Sequence, residues 1–187
     1  MTVSLPKTSE LEKLPLRAIV AYAERVARRL SIELRGTIAD DILDDAFRLI
    51  HKVCLNEDVD ANAVMCGAQR VTSAYAATSG EATSNAQFRI VFSICHAAMA
   101  AMNALLAAEN PTRIIYYAKR TAIEAERTNR AIESLSIEAA CTAKADAIRD
   151  YEALLGEYGE HEEVILGNPV RCFEREENRS TESGRST

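Results

Sequence analysis

Apolar residues recur every three to four positions over most of the chain, the period of amphipathic helices, and no long segment shows the alternation of strands. The pattern predicts six helices. The first runs from about Pro15 to Leu34, with Leu16, Ile19, Ala23, Val26, Ala27 and Leu30 on one face and Gly36 ending it. The second, about Ile38 to Cys54, is capped by Thr37 and turns Ile42, Ala46, Leu49, Ile50 and Val53 inward. The third spans about Ala61 to Thr78 with Val64, Ala68, Val71 and Tyr75 as its stripe, and Ser79-Gly80 ends it. The fourth, about Asn85 to Glu109, is stopped by Asn110-Pro111. The long run that follows splits near Ser134-Leu135-Ser136, giving a fifth helix (about Thr112 to Glu133) and a sixth (about Ile137 to Leu155); one continuous bent helix is the alternative.

This organisation is a single all-α domain, an antiparallel bundle of five or six helices over residues 15–159. Residues 1–14 read as an N-terminal extension and residues 160–187 as a charged, flexible tail. Inside that tail, VILGNPVRCF (Val164 to Phe173) is an apolar island that suits docking on the domain or on a partner.

Composition sharpens the all-α expectation. Alanine occurs 31 times against 7 glycines and 4 prolines, and Gly67, Gly80 and Pro111 are the only helix breakers between Thr37 and Leu155. A net charge of −6 with both signs mixed lacks the basic excess of a nucleic-acid binder, so none is expected as partner. Five widely spaced cysteines with no CxxC suggest free thiols and a cytoplasmic setting rather than a disulfide framework or zinc module. The opening MTVSLPKTSELEKLPL, with Glu10 and Glu12 and no continuous apolar stretch, does not read as a signal peptide.

The fourth helix carries the most informative pattern. From Ile90 to Ala108 it has no charged residue and nearly the length of a membrane span, but seven of those positions are alanine and Ser93, His96 and Asn103 interrupt it. On a helical wheel Arg89, Ser93, His96, Ala100 and Asn103 fall within an arc of about 80°, leaving the rest apolar. This is the pattern of a central bundle helix with a narrow polar seam, and no membrane is expected. The seam either is structural or, through Arg89, Ser93, His96 and Asn103, binds a ligand. Arg89 and His96, two turns apart on one face, are the candidate catalytic pair, a cation and an acid/base able to share a phosphate.

RIVFSICH, Arg89 to His96, resembles the Arg-x(4–6)-His signature of HEPN-type ribonucleases, small α-helical proteins that often dimerise across the motif. The resemblance covers that stretch alone and departs from the family at Ile90, where the residue is usually polar. It implies metal-independent cleavage of a phosphodiester by Arg89 and His96. Likewise Asp40-Asp41-Ile42-Leu43-Asp44-Asp45 resembles the DDxxD magnesium-diphosphate motif of isoprenoid synthases. The chain lacks a second aspartate-rich motif and, with 4 Phe, 6 Tyr and no Trp, an aromatic pocket, so the run reads as an acidic first turn that complements the helix dipole.

Other polar groups read as ordinary surface. His51 follows Arg48 on the second helix, and His161 lies in a charge run without HExxH spacing. Cys95 and His96 point about 100° apart on the helix and form no dyad, and Cys95 reads as core. Arg17, Arg28 and Arg35, with Arg25 at the edge, make a face on the first helix, interrupted by Glu24, that reads as solvated or as pairing with the aspartates of the second, with a partner site as the further reading. Glu124, Glu126, Arg127, Arg130 and Glu133 read as a mixed-charge solvent face, and one of Tyr116 and Tyr117 as inward. No cofactor or metal is called for. The leading expectation is a non-enzymatic interaction or regulatory module that meets another protein or a second copy through a helix face. The alternatives are a ribonuclease-like phosphodiesterase using Arg89 and His96, and a bundle that binds a small ligand.

Overall fold

A computed structural model describes residues 4–32, 40–78, 85–159, 161 and 165–172. Among these residues the chain is all-α, with seven helices: α1 (Thr8–Leu11), α2 (Leu16–Ser31), α3 (Asp40–Leu55), α4 (Ala61–Thr78), α5 (Asn85–Glu109), α6 (Ile114–Asn129) and α7 (Ile137–Tyr158). The expected Gly36 stop, the Thr37 cap, Ser79-Gly80 and the end of the tail from Phe173 onward lie outside the described residues, as do the side chains of Asp40 and Tyr75.

α4 and α5 keep the bounds expected of them. Pro111 cannot continue a helix, and a 3₁₀ turn at Pro111–Arg113 reverses the chain into α6. The run after Pro111 is two helices rather than one. A second 3₁₀ turn, Ile132–Ser134, is followed by extended Leu135, and the Ser136 hydroxyl accepts the Ala139 N–H to start α7. Gly156 does not stop α7, which runs on to Tyr158 and ends at Gly159 with φ 74°.

α5 is the hub, packing on α2, α3, α4 and α6. Its inward positions are largely alanine: Ala97, Ala98, Ala100, Ala101, Ala104 and Ala107 are buried, facing helices that bury Ala21, Ala23, Ala118, Ala122 and Ala125. Small side chains let helix axes come close. Larger groups, among them Tyr22, Phe47, Ile50 and Leu154, fill the space between the other helices. Gln87–Glu109 is long and apolar enough to cross a membrane by length and composition, but 61% of its most apolar window is buried inside the fold.

Both flanks of the helical region pack against it. Leu11 and Leu14 are buried, Leu5 lies against the core, and the Thr8 N–H donates to Glu126 at 2.8 Å. The Tyr22 hydroxyl donates to Asn129 Oδ1 (2.7 Å), whose amide donates to the Pro6 carbonyl (3.1 Å), tying residues 4–11 to α2 and α6. On the other flank, residues 165–172 form an extended strap over the start of α2. Pro15 precedes that helix and leaves its first N–H groups without side-chain caps. The Leu16 and Arg17 N–H groups donate instead to the carbonyls of Ile165 and Leu166, at 3.0 and 3.1 Å.

Among the described residues, the partners of the α2 arginines lie elsewhere than on the aspartates of the second helix, whose Asp40 side chain is outside the described set. Arg25 and Arg29 reach Asp150 on α7, Arg28 pairs with Glu24 one turn away, and Arg17 donates to Asn56 and to the Gly167 carbonyl. Arg35 lies outside the described residues. The pairing follows packing rather than sequence proximity, since α7 presents its own carboxylates to this face.

A core built on alanine leaves little room. Ala122→Leu, at a position with no exposed surface, is expected to cost about 1–3 kcal/mol through overpacking. Ile137→Ala, at a residue 87% exposed, is expected to stay within about 0.5 kcal/mol. Urea midpoints of the two variants against the parent protein check the contrast.

Candidate functional site

The polar seam of α5 meets α6, its antiparallel neighbour across the short Pro111 turn. Ser93 is fully buried, and its hydroxyl donates to the Ile90 carbonyl one turn back at 2.8 Å. Thr128 of α6 donates its hydroxyl to the carbonyls of Ser93 (3.3 Å) and Glu124 (3.0 Å). One turn further along α5, His96 Nδ1 is hydrogen-bonded to Glu124 Oε2. The pairs Ser93–Thr128 and His96–Glu124 step in opposite directions along the two helices and fix their register.

Glu124 was expected on a solvent face and is instead 2% exposed. Thr121, Glu124, Ala125 and Thr128 repeat at helical spacing on one buried stripe of α6, and a charged residue within a small, weakly polar stripe is the signal that could have exposed the error. Arg127 NH1 lies 3.2 and 3.3 Å from the two carboxylate oxygens, and Arg120 NH2 lies 3.7 Å from Oε1. Burial alone would raise the Glu124 pKa, but the hydrogen bond and charge of His96 and the guanidinium of Arg127 hold it below the ordinary glutamate value. An ionised carboxylate only accepts hydrogen bonds, so the network assigns the His96 proton to Nδ1. Nε2 is buried and has no hydrogen-bond partner among the described residues, as is also true of the Asn103 amide nitrogen.

Of the four seam residues, the fold therefore takes Ser93, His96 and Asn103 inside, while Arg89 is exposed. Phe92 links the buried seam to the surface. Its ring is 50% exposed, meets His96 edge-on at a centroid separation of 4.1 Å, and stacks on Phe88 at 5.9 Å. Phe88, Phe92, Cys95, Met99, Met102 and Leu106 follow one another at helical spacing and are each half-buried or exposed. They form an apolar stripe beside the α6 contact. On its other border Cys95, read from sequence as core, is half-buried and touches Thr72 and the Ala68 carbonyl of α4. The stripe thus lies on α5 between its contacts with α4 and α6.

The exposed charges nearest it are arginines, of which Arg70 pairs with Asp45 and Arg120 and Arg127 with the buried Glu124. α4 and α5 as far as Ala108 hold Arg70 and Arg89 and no carboxylate. From α6 come Arg120 and Arg127, whose side chains remain 44% and 43% exposed around the buried Glu124. Tyr117 lies half-buried against the core while its neighbour Tyr116 is exposed, so one of the two faces inward as expected.

The remaining sequence candidates stay apart from this site. Asp41 and Asp44 are exposed, and Asp45 pairs with Arg48 (2.5 Å) and Arg70 (3.5 Å). His161 is held by the Tyr158 carbonyl at 2.9 Å. No group of three or more His, Cys, Asp or Glu residues suited to a metal occurs among the described residues. Comparison with protein families, curated proteins and solved structures found no match to the chain.

Glu124→Gln should cost about 1–3 kcal/mol at neutral pH, because His96 and Arg127 lose an ionised acceptor in a buried setting. A carboxylate with a depressed folded pKa stabilises the fold fully above its unfolded pKa, about 4.3, and loses that contribution as pH falls through the folded value. The gap in urea midpoint between parent and variant should therefore be largest near pH 7 and shrink below about pH 4. A gap independent of pH would contradict the assignment.

Proposed function

We propose that this protein is a docking module whose α4–α5–α6 face binds an amphipathic helix with acidic flanks. The observation that carries the reading is the apolar stripe led by Phe88 and Phe92. Both rings are large and exposed (40% and 50%), they stack on each other, and the exposed Arg89 and the part-exposed Arg120 and Arg127 lie on the same two helices of a chain of net charge −6. Aromatic and methionine side chains along such a stripe suit a helix that presents apolar residues at i, i+3, i+4 and i+7, and methionine adapts its shape to the guest. Arg89, Arg120 and Arg127 would meet carboxylates along the edges of that helix, setting its orientation and its association rate more than its affinity. A second copy of the chain is the other occupant to test, and it brings its own negative charge.

The test uses a synthetic helical peptide with Leu on one face and Glu on both flanks, followed by fluorescence anisotropy. Phe92→Glu should weaken binding by at least about tenfold, since an exposed anchor ring becomes a charge on the apolar stripe. Added salt should weaken it further, and a peptide with Lys in place of Glu should not bind. Equal affinity for both peptides, or a dimer in sedimentation that Phe92→Glu dissociates, would point to a different occupant.

One geometric feature favours a second reading. Glu124 bonded to Nδ1 orients the His96 ring and leaves Nε2 without a partner among the described residues, the arrangement of an acid/base imidazole positioned by a carboxylate. That nitrogen is buried and Phe92 packs edge-on against the ring, so substrate access would need a local opening. Metal-independent RNA cleavage that is lost in both Arg89→Ala and His96→Ala, with helicity kept, would support this reading. Cleavage unaffected by either change would remove it.

A further inference from the structure

The strap of residues 165–172 ends beside the C-terminus of α3, and the contact brings two cysteines together. The Val170 N–H donates to the Cys54 carbonyl at 2.9 Å. Cys54 has no exposed surface, Cys172 two residues beyond Val170 is 2% exposed, both are free thiols, and Cys172 is near enough to help raise the Cys54 thiol. The Cys54 thiol also faces the Arg17 carbonyl at 3.9 Å.

The surrounding contacts hold this meeting in place. The Arg17 guanidinium donates to the Gly167 carbonyl at 2.6 Å and to Asn56, so one α2 side chain clamps both the strap and the residue just past α3. The Arg25 guanidinium donates to the Arg171 carbonyl at 2.9 Å, one residue before Cys172. Gly167 passes so close to Pro15 that an added Cβ would lie 2.4 Å from the proline Cβ, and its φ of 84° suits glycine. The strap is thus seated by backbone and arginine contacts on both sides of the thiols, while only non-covalent contacts retain it.

We propose that Cys54 and Cys172 are a redox latch, a thiol pair that closes to a disulfide and ties the strap covalently to α3 across the start of α2. With glutathione disulfide as oxidant the step balances in two exchanges. The Cys172 thiolate, exposed when the strap lifts, attacks one sulfur of glutathione disulfide and releases one glutathione thiolate. As the strap reseats, the Cys54 thiolate attacks Cys172 Sγ of the mixed disulfide and releases the second. Two protein thiols are oxidised, one glutathione disulfide is reduced, and the two released glutathione thiolates take up the two protons that the protein thiols give up. Burial, reinforced by Cys172, pushes the Cys54 thiol up, which keeps the pair unreactive while the strap is shut and makes lifting the controlling event.

The chain carries its own control, because Cys66 and Cys141 are exposed and take up glutathione whatever the strap does. The full-length protein is incubated with glutathione disulfide, alkylated, and mapped by mass spectrometry. The latch predicts a Cys54–Cys172 cross-linked peptide lacking two hydrogens, with Cys66 and Cys141 carrying glutathione. In Cys54→Ser, the mixed disulfide should instead accumulate on Cys172. Arg17→Ala should speed closure roughly tenfold, as expected for losing a charge-assisted hydrogen bond that holds the shut form. Alkylated, reduced Cys54 and Cys172 in both the parent and Arg17→Ala, alongside glutathione on Cys66 and Cys141, would overturn the proposal. So would glutathione retained on Cys172 of the parent without closure.

Discussion

The close approach of α5 to α2 and α6, through faces made mostly of alanine, is the constraint on which the rest of the structure depends. Alanine contributes little apolar area per residue, so the stretch of α5 from Ala97 to Ala107 supplies closeness rather than bulk, and the larger buried groups lie at Ile90 and Ile94 near its start and on the other helices. What the small faces provide is proximity. Thr128 reaches the backbone carbonyl of Ser93 on the facing helix, and Glu124 reaches the ring of His96. A buried carboxylate without partners would cost several kcal/mol or take up a proton, and Glu124 keeps its charge because a histidine and two arginines surround it. Sliding α6 along α5 by one turn would strand that charge against alanine, so the polar pair selects one register among several that the uniform alanine faces would accept.

Glu24 shows the same constraint with less compensation. Fully buried on α2, it receives Arg28 on one oxygen, while the other has no partner among the described residues. Burial raises its pKa despite Arg28, which itself lies over the Phe47 ring at 4.6 Å. The two glutamates have pKa values displaced in opposite directions because Glu124 gains a histidine and a second arginine on its open side.

What was legible in the sequence follows from the same physics. α4, α5 and the start of α7 were readable because their limits are local: Asp60, Asn110-Pro111 and Ser136 act on the backbone within one turn. The all-α class was readable from alanine content and period. Glu124 was hidden because its partner is 28 residues away and its own neighbours, Arg120 and Arg127, make it look solvated. The arginine face of α2 was matched to solvent or to the nearest acidic run, whereas Asp150, more than a hundred residues away, receives Arg25. The seats of residues 4–14 and 165–172 were not readable by periodicity at all. A four-residue helix and an extended strap carry too few repeats, and their work lies in backbone carbonyls that no side-chain pattern reports.

α5 divides its circumference between tasks that place opposite demands on it. The side toward α6 is closed, with polar groups buried and register fixed, and a substitution there changes the fold. The stripe from Phe88 to Leu106 is half-buried to exposed, so substitutions there disturb the fold less. His96 and Phe92 stand where these sides meet, their rings set edge-on at 4.1 Å. The ring of a histidine already committed to Glu124 through Nδ1 is therefore also part of the wall on which the exposed Phe92 rests, and a change at Phe92 reaches the buried seam by direct contact.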